Sequence, residues 1–503
     1  MKDQRTLVRR GFLKRSGLAA LAASPWAAMA QQTSRASGTT QSGRSAGVNE
    51  SLSRQFARWA AGLRYEDLPA TVVDRAKGLT LQALSSVLLG YQTPAGQEAI
   101  KLVLEEEAGA SNGASVMVNG TKATKGGAAY ANAEMALAGG KWDTFRMLTH
   151  PGTAIVPAAL AAAETGGASG RDLITALAAG YEVTERLAAD FIPTVMARGF
   201  HAGPVFAIFG AAVAAAKIMH LNEDQVNNAI GLCVNLAGGN IESGGLREGG
   251  SARNAMFAVA LARLGHRGGE TALEGRAGFY EAFAGNNQGR LTYSFTGQQQ
   301  TSLDKITANL GKDWTMLETL YRIYSISGYN IAHIDVTAKL CEEHNIRYAD
   351  VDRVEAVVNW METQYPSPAF PALREDIGEA ARGSTRYYAA WGVVRRGFPM
   401  LPFTDDPPEV LELMKRVTII PSHEMTLFGP RITIFTKDGK SYTKQATGRE
   451  FIWDFEEEAR RIRAITPGIP IPAGQYEEII SVCRGLDRES RADRLVALMR
   501  KPN

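Results

Sequence analysis

Eight successive segments between residues 70 and 265 follow one pattern, and that pattern permits little except a bundle of closely packed helices. Apolar positions recur at helical spacing through 71–91, 94–108, 126–138, 153–165, 170–190, 205–219, 222–236 and 251–265, and alanine fills much of the remainder. Alanine loses no side-chain entropy in a helix, and a surface of Ala and Gly lets neighbouring backbones come close. Pro69, Pro94, Pro157 and Pro204 lie near the expected helix starts, and Gly166-Gly167 marks an end. A strand-like patch at 115–118, before Asn119-Gly120, reads as a hairpin or loop.

The texture changes near residue 295. Segments 354–360, 416–421, 431–436 and 441–445 are β-rich, and Lys437-Asp438-Gly439-Lys440 is a hairpin turn. Helical text at 333–345 and 378–395 sits between them, and 474–500 is helical again. The expected fold is mainly α, a large all-helical domain at 49–295 with a smaller α+β lid at 296–450. Residues 451–503 are expected to return to the helical domain. A cleft between two such domains is a common place for a ligand.

The N-terminus reads as an export signal. Val8-Arg9-Arg10-Gly11-Phe12-Leu13-Lys14 carries a paired arginine followed by Phe-Leu-Lys. An apolar run from Gly17 to Ala30 follows, ending in Ala28-Met29-Ala30, a small-x-small pattern that a signal peptidase accepts. Residues 1–30 are therefore expected to be a twin-arginine signal peptide cut before Gln31. The protein would pass through the twin-arginine export machinery to the periplasm or another exported location. Residues 31–48, polar and small, are expected to be a disordered linker. The apolar run is too short to span a bilayer, which needs roughly 20 apolar residues.

Removing the signal changes the charge argument. Residues 1–30 hold six Lys/Arg and one acid, a net of +5, and the whole chain carries +3, which leaves about −2 for the mature chain. No footprint for nucleic acid remains, and no membrane association is expected after cleavage. Cys233, Cys341 and Cys483 are widely spaced and odd in number, which suggests neither a disulfide framework nor a zinc site. Gly-x-Gly-x-x-Gly after a strand, a Walker-type lysine loop and a Gly-x-Ser-x-Gly elbow are all absent. The seven histidines show no metal-binding spacing. Any catalysis is expected to use side chains alone, with no cofactor and no metal.

Two histidines stand in unusual settings. His150 precedes Pro151-Gly152, so the proline holds it extended on a loop ahead of a helix. His201 lies in Arg198-Gly199-Phe200-His201-Ala202-Gly203-Pro204, where a helix N-terminus disfavours imidazolium and suits a neutral base or donor. Taken alone, each is as well read as a surface or packing residue.

The order of phrases resembles the MmgE/PrpD family, which includes 2-methylcitrate dehydratase, cis-aconitate decarboxylase and iminodisuccinate epimerase. The matching text is Thr149-His150-Pro151-Gly152 into Val156-Pro157-Ala158-Ala159-Leu160, then Gly170-Arg171-Asp172-Leu173-Ile174 and Ala179-Gly180-Tyr181-Glu182-Val183. It continues in Arg198-Gly199-Phe200-His201, Phe209-Gly210-Ala211-Ala212 and Leu273-Glu274-Gly275-Arg276-Ala277-Gly278-Phe279. The resemblance covers roughly 50–500. It implies a homodimer without cofactor that eliminates, decarboxylates or epimerises small di- and tricarboxylates by proton transfer.

The resemblance transfers a site in part. The family's Asp-x-Asp-Asp-Thr stretch is similar to Gly140-Lys141-Trp142-Asp143-Thr144, so its first Asp is Gly140 here, while Asp143 and Thr144 remain. His150 and His201 match the two family histidines. The family phrase Thr-Lys-x-Leu-His puts its lysine near Gly244 and its histidine near Arg247. A second family lysine looks like Arg322. Tyr387, with Tyr388 as the competing register, matches a family tyrosine, and His333 resembles a position lining the cleft. Lysine can give up a proton, whereas arginine stays charged and binds a carboxylate through two parallel bonds. The roles implied are His150, His201, Thr144 and Tyr387 in catalysis, and Asp143, Arg322, Arg247 and His333 in substrate binding. A carboxylate-binding protein without turnover is the rival reading, and a scaffold subunit is a third.

Overall fold

The helical text folds as its spacing predicts, mostly to within a residue or two of the expected bounds. The computed structural model describes residues 50–502 apart from 148, 244–247, 365–381, 400–405 and 467. The signal peptide and linker expected at 1–48, with Gly244 and Arg247, lie outside the described residues. The first helices are α1 (Leu52–Gly62), α2 (Ala70–Gly90), α3 (Pro94–Glu106), α4 (Lys125–Ala138), α5 (Gly152–Gly166), α6 (Gly170–Ala188) and α7 (Ile192–Met196). They continue with α8 (Ala202–Ile218), α9 (Glu223–Leu236), α10 (Glu248–Arg263) and α11 (Phe279–Ala284). Helix ends follow local chemistry. Thr93 and Ser169 cap α3 and α6 by accepting backbone N–H groups, and Gly167, at φ 70°, ends α5 in the left-handed conformation. Pro157 differs from expectation: it sits inside α5, one turn past the start.

Helix α8 is the axis of the bundle. Every residue from Ala202 to Ile218 is buried except Lys217, whose Nζ donates to the carbonyl of Ala60 at 2.7 Å. Helices α5, α6, α9 and α10 surround it. The closest approach is to α6. A Cβ built on Gly210 would lie 2.1 Å from Thr184 Oγ1 and 2.3 Å from the Gly180 carbonyl oxygen. Only glycine permits that crossing.

A buried ion pair fastens the next segment to this bundle. Arg186 Nε donates to Glu182 Oε1 at 2.6 Å, and its Nη1 donates to the Ala308 carbonyl at 2.6 Å. Glu182 in turn accepts from the backbone N–H groups of Thr315 and Met316. Burial still raises the Glu182 carboxyl against the pull of Arg186 and these hydrogen bonds, so the pair serves chiefly to fix the path of 306–318.

That path leads into the element the sequence did not announce. Strand β3 (Trp142–Thr144) pairs antiparallel with β4 (Leu320–Arg322), in the register Trp142↔Arg322, Asp143↔Tyr321 and Thr144↔Leu320. A smaller hairpin joins β1 (Ala114–Ser115) to β2 (Lys122–Ala123), where the strand-like patch was expected. Beyond β4 come α12 (Gly328–Glu343), β5 (Val351–Asn359), α13 (Thr385–Arg395), α14 (Pro408–Leu413), β6 (Val417–Ser422), β7 (Arg431–Thr436) and β8 (Ser441–Gln445). The sheet order is β6-β5-β7-β8, with β5 and β6 parallel and the other neighbours antiparallel. Helices α12 and α13 pack on one another, α12 against β7 and β8 and α13 against β6, and Ile432 and Ile434 are buried. The chain is thus mainly α with a smaller α+β portion. The last helices, α15 (Phe455–Ile465), α16 (Ala473–Arg484) and α17 (Asp493–Leu498), pack on α2 and α5, with Ser85 Oγ 2.8 Å from Tyr476 OH. All three cysteines are buried free thiols, and no described helix is long and apolar enough to cross a membrane.

The Gly180–Gly210 crossing gives a direct test. Gly210→Ala forces α6 and α8 apart and costs about 1–3 kcal/mol, as overpacked cores do. Gly62→Ala, where an added Cβ meets nothing within 4 Å, is neutral or slightly stabilising. Urea unfolding of the two variants checks this, and an unchanged Gly210→Ala midpoint refutes the close-packed crossing.

Candidate active site

The site is built from one short loop that leaves β3 and returns as the start of α5. Phe145 N–H donates to the Thr149 carbonyl at 3.1 Å and closes the loop, with Arg146 in the left-handed region at φ 49°. His150 emerges from this closure almost fully buried, 6% exposed, with its ring 4.6 Å from that of Trp142. Its Nδ1 lies 2.8 Å from the Asp143 carbonyl oxygen and 3.3 Å from Thr144 Oγ1. A carbonyl only accepts, so the proton sits on Nδ1 and Nε2 is the basic nitrogen.

Asp143 holds the loop from below. Its Oδ2 accepts from Tyr181 OH at 2.6 Å and from Gly152 N–H at 2.8 Å, so it satisfies the first N–H of α5. Gly152 is obligatory here, because an added Cβ would lie 2.2 Å from Tyr181 OH. Complete burial pushes the Asp143 carboxyl up to about 7, against the opposing pull of those two hydrogen bonds. Glu185 lies further along the same interior, holding a bond from Thr319 Oγ1, and burial raises its carboxyl well above the usual range. Asp143, expected to bind substrate, is placed with its side chain in this interior network.

His201 is the N-cap of α8. Its Nδ1 accepts from Gly203 N–H at 3.2 Å, which requires a lone pair on Nδ1 and puts the proton of the neutral ring on Nε2. The two histidines are therefore held in opposite tautomers: His150 presents a basic Nε2, His201 a protonated one. Proline before the helix and a cap at its start are readable in sequence, but the tautomers follow from the partners.

Arg322 lies on β4 directly across from Trp142. Its guanidinium carbon sits 4.4 Å from the Trp142 ring centroid, and its Nε donates to the Ile326 carbonyl at 2.7 Å. Trp142 is therefore flanked by His150 and Arg322. Its own Nε1 donates to the Leu137 carbonyl, and Gln82 Nε2 donates to its carbonyl. Sequence reasoning passed over three residues here: Trp142, Tyr181 and Lys141, the last donating to Ser325 Oγ at 2.7 Å. A buried Tyr in the phrase Gly180-Tyr181-Glu182 was the one available signal.

The remaining expected residues lie on the helices beyond β4. Tyr387, on α13, is buried and its OH donates to Asp406 Oδ1 at 2.8 Å, while Arg382 pairs with the same carboxylate. Tyr388, the competing register, packs edge-on against it. His333 is fully buried on α12. Arg253 pairs with Glu107 at 2.6 Å, as a structural surface cation does.

Residues 54–292 match the model of the MmgE/PrpD N-terminal domain. Over these residues the chain belongs to the MmgE/PrpD family. Within it, the chain is similar to the cis-aconitate decarboxylase-like protein oryM of Aspergillus oryzae, 26% identical over 78% of this chain and 84% of that protein. It is also similar to cis-aconitate decarboxylase of Aspergillus terreus, 24% identical over 90% of this chain and 96% of the relative. The human cis-aconitate decarboxylase is 26% identical over 79% and 83% respectively.

Asp143 is the residue to test. Asp143→Ala leaves Tyr181 OH and Gly152 N–H without their acceptor and costs about 2–4 kcal/mol in urea unfolding at pH 6. Asp143→Asn keeps an accepting oxygen and removes the ionisation. A carboxyl whose folded pKa lies above its unfolded value loses stability as the pH rises between the two. The Asn variant therefore gains on the parent as pH rises from about 4 to 7. Identical pH profiles for variant and parent refute the raised carboxyl.

Proposed function

We propose that this protein is an exported lyase that acts on a small tricarboxylate with its own side chains, decarboxylation of a cis-aconitate-like acid being the first reaction to examine. The observation that carries the reading is the pair of histidines held in opposite tautomers, within a chain that aligns along most of its length with cis-aconitate decarboxylases. A basic Nε2 on His150 and a proton-bearing Nε2 on His201 supply the two halves of acid–base chemistry at neutral pH. Loss of carbon dioxide leaves an electron pair delocalised over the neighbouring double bond and carboxylate. A proton then closes the new C–H bond. Thr144 shares the Nδ1 side of His150, Arg322 anchors a substrate carboxylate, and Tyr387 and His333 belong to the lid side of the cleft. Elimination of water or inversion at a C–H carbon uses the same base and stays open to the same test.

The binding-protein reading has its own observation. By the resemblance, Gly140 stands where the family carries a carboxylate and Arg322 where it carries a lysine, and arginine does not release its proton. We propose in addition that the protein works as a homodimer, with exposed Phe257 on α10 and Leu264 just after it as a candidate contact.

Proton NMR of the mature protein in D2O with cis-aconitate, citrate, methylcitrate and substituted succinates decides between turnover and binding. The expected result is loss of the cis-aconitate olefinic signal with new product peaks, and a fall in kcat of about 10²–10⁴ in His150→Asn and in His201→Gln. Line broadening without exchange or product establishes the binder.

Export is tested separately. Arg9→Lys with Arg10→Lys retains the unprocessed chain in the cytoplasm, and the parent periplasmic protein begins at Gln31 by mass spectrometry. A periplasmic protein that still carries residues 1–30 overturns the cleavage site.

A further inference from the structure

The β3–β4 ribbon brings two cations together at one place. Lys141 immediately precedes β3, next in the chain to Trp142, which pairs with Arg322 across the ribbon, and the Arg322 charge acts on its ammonium. Lys141 Nζ donates to Ser325 Oγ at 2.7 Å, three residues beyond Arg322, and its backbone N–H donates to Ser86 Oγ on α2 at 3.1 Å. Among the described residues no carboxylate pairs with Lys141. Gly140, just before it, places no side chain between the lysine and Ser325, and a Cβ there would sit 3.1 Å from Ser325 Oγ. The lysine is partly buried beside a second positive charge, an arrangement that stability alone disfavours.

We propose that Lys141 and Arg322 together form the seat for one carboxylate of the substrate, with Lys141 setting the preference for highly charged acids. The inference rests on the carboxylate-binding reading above, common to the lyase and the binder, and goes beyond it in naming a residue. The contacts run continuously from the seat to the base. Arg322 lies over Trp142, and the other neighbour of that ring is His150. An acid with several carboxylates, one held at the cations, has its remainder directed along this line. Hydrogen bonds to a charged group strengthen when the partner carries the opposite charge, and an ammonium beside a guanidinium gains the most from an anion.

The electrostatics agree with the geometry. Burial, then the Arg322 charge, brings the Lys141 ammonium down to about 8. Among the described residues, the groups that act on the ammonium are Arg322 on β4 and Ser325 beyond it, with Ser86 on α2 holding the backbone N–H, and none of them is acidic. A bound carboxylate favours the protonated amine, so affinity is full below about pH 8 and falls as the amine loses its proton above it.

The experiment is calorimetric titration of the mature protein with propane-1,2,3-tricarboxylate, a saturated acid with no double bond to assist loss of carbon dioxide. Binding is expected to weaken about tenfold or more in Lys141→Met and to stay within about threefold in Lys141→Arg. In the parent it weakens as pH rises from 7 to 9, and in Lys141→Arg that dependence disappears. Unfolding midpoints of both variants, expected to match the parent, separate a lost seat from a lost fold. Equal affinity in Lys141→Met, persistence of the pH dependence in Lys141→Arg, or no binding by the parent overturns the seat. Binding with this pattern but no conversion of cis-aconitate leaves the seat standing and removes the lyase reading alone.

Discussion

The geometry of the site depends on one buried carboxylate. Asp143 receives hydrogen bonds from Tyr181 on α6 and from the first N–H of α5, while its backbone carbonyl receives the proton of His150. One residue thus ties a strand, two helices and His150 into a single rigid corner. A carboxylate so deep in the protein is costly to ionise, and the corner accepts that cost because the donors around it have no other partner. Glycine at 152 is the steric counterpart, since nothing larger fits between the tyrosine hydroxyl and the loop.

The corner would not hold without the ribbon beside it. Strands β3 and β4 are each three residues long and come from points about 180 residues apart, too small to be stable as an isolated pair. They persist because the bundle supports each side. Gln82 and Leu137 hold Trp142 on one strand, and Arg75 donates to the Thr319 carbonyl at the entrance to the other. The Glu182–Arg186 pair fixes the approach to β4 in the same way. The candidate site is carried by short irregular pieces, and the regular helices supply their precision.

This division explains what was legible in the sequence. Long amphipathic segments such as 170–190 announce themselves by period, and Ser169, Thr93 and Gly167 mark their ends through local hydrogen bonding that needs no knowledge of the fold. The β-rich segments from 354 to 445 were equally plain, because alternation and the Asp-Gly turn are local. The β3–β4 ribbon was not: three residues carry no periodicity, and its partner strand is distant in sequence. Pro157 was placed near a helix start, yet α5 carries it in its interior. His150 and His201 could be singled out by their neighbours, whereas the position of the proton on each ring depends on the Asp143 carbonyl and the Gly203 amide.

The charges around the ribbon have a consistent physical direction. Arg322 and Lys141 bring two cations to the edge of the loop that carries His150, and among the described residues no carboxylate pairs with Lys141. Electrostatic attraction is strongest where water is excluded, and the Trp142 ring touches both His150 and Arg322. On the reading proposed above, an acid would be gripped by fixed charge at the ribbon and proton transfer would fall to the histidines, because arginine does not release its proton.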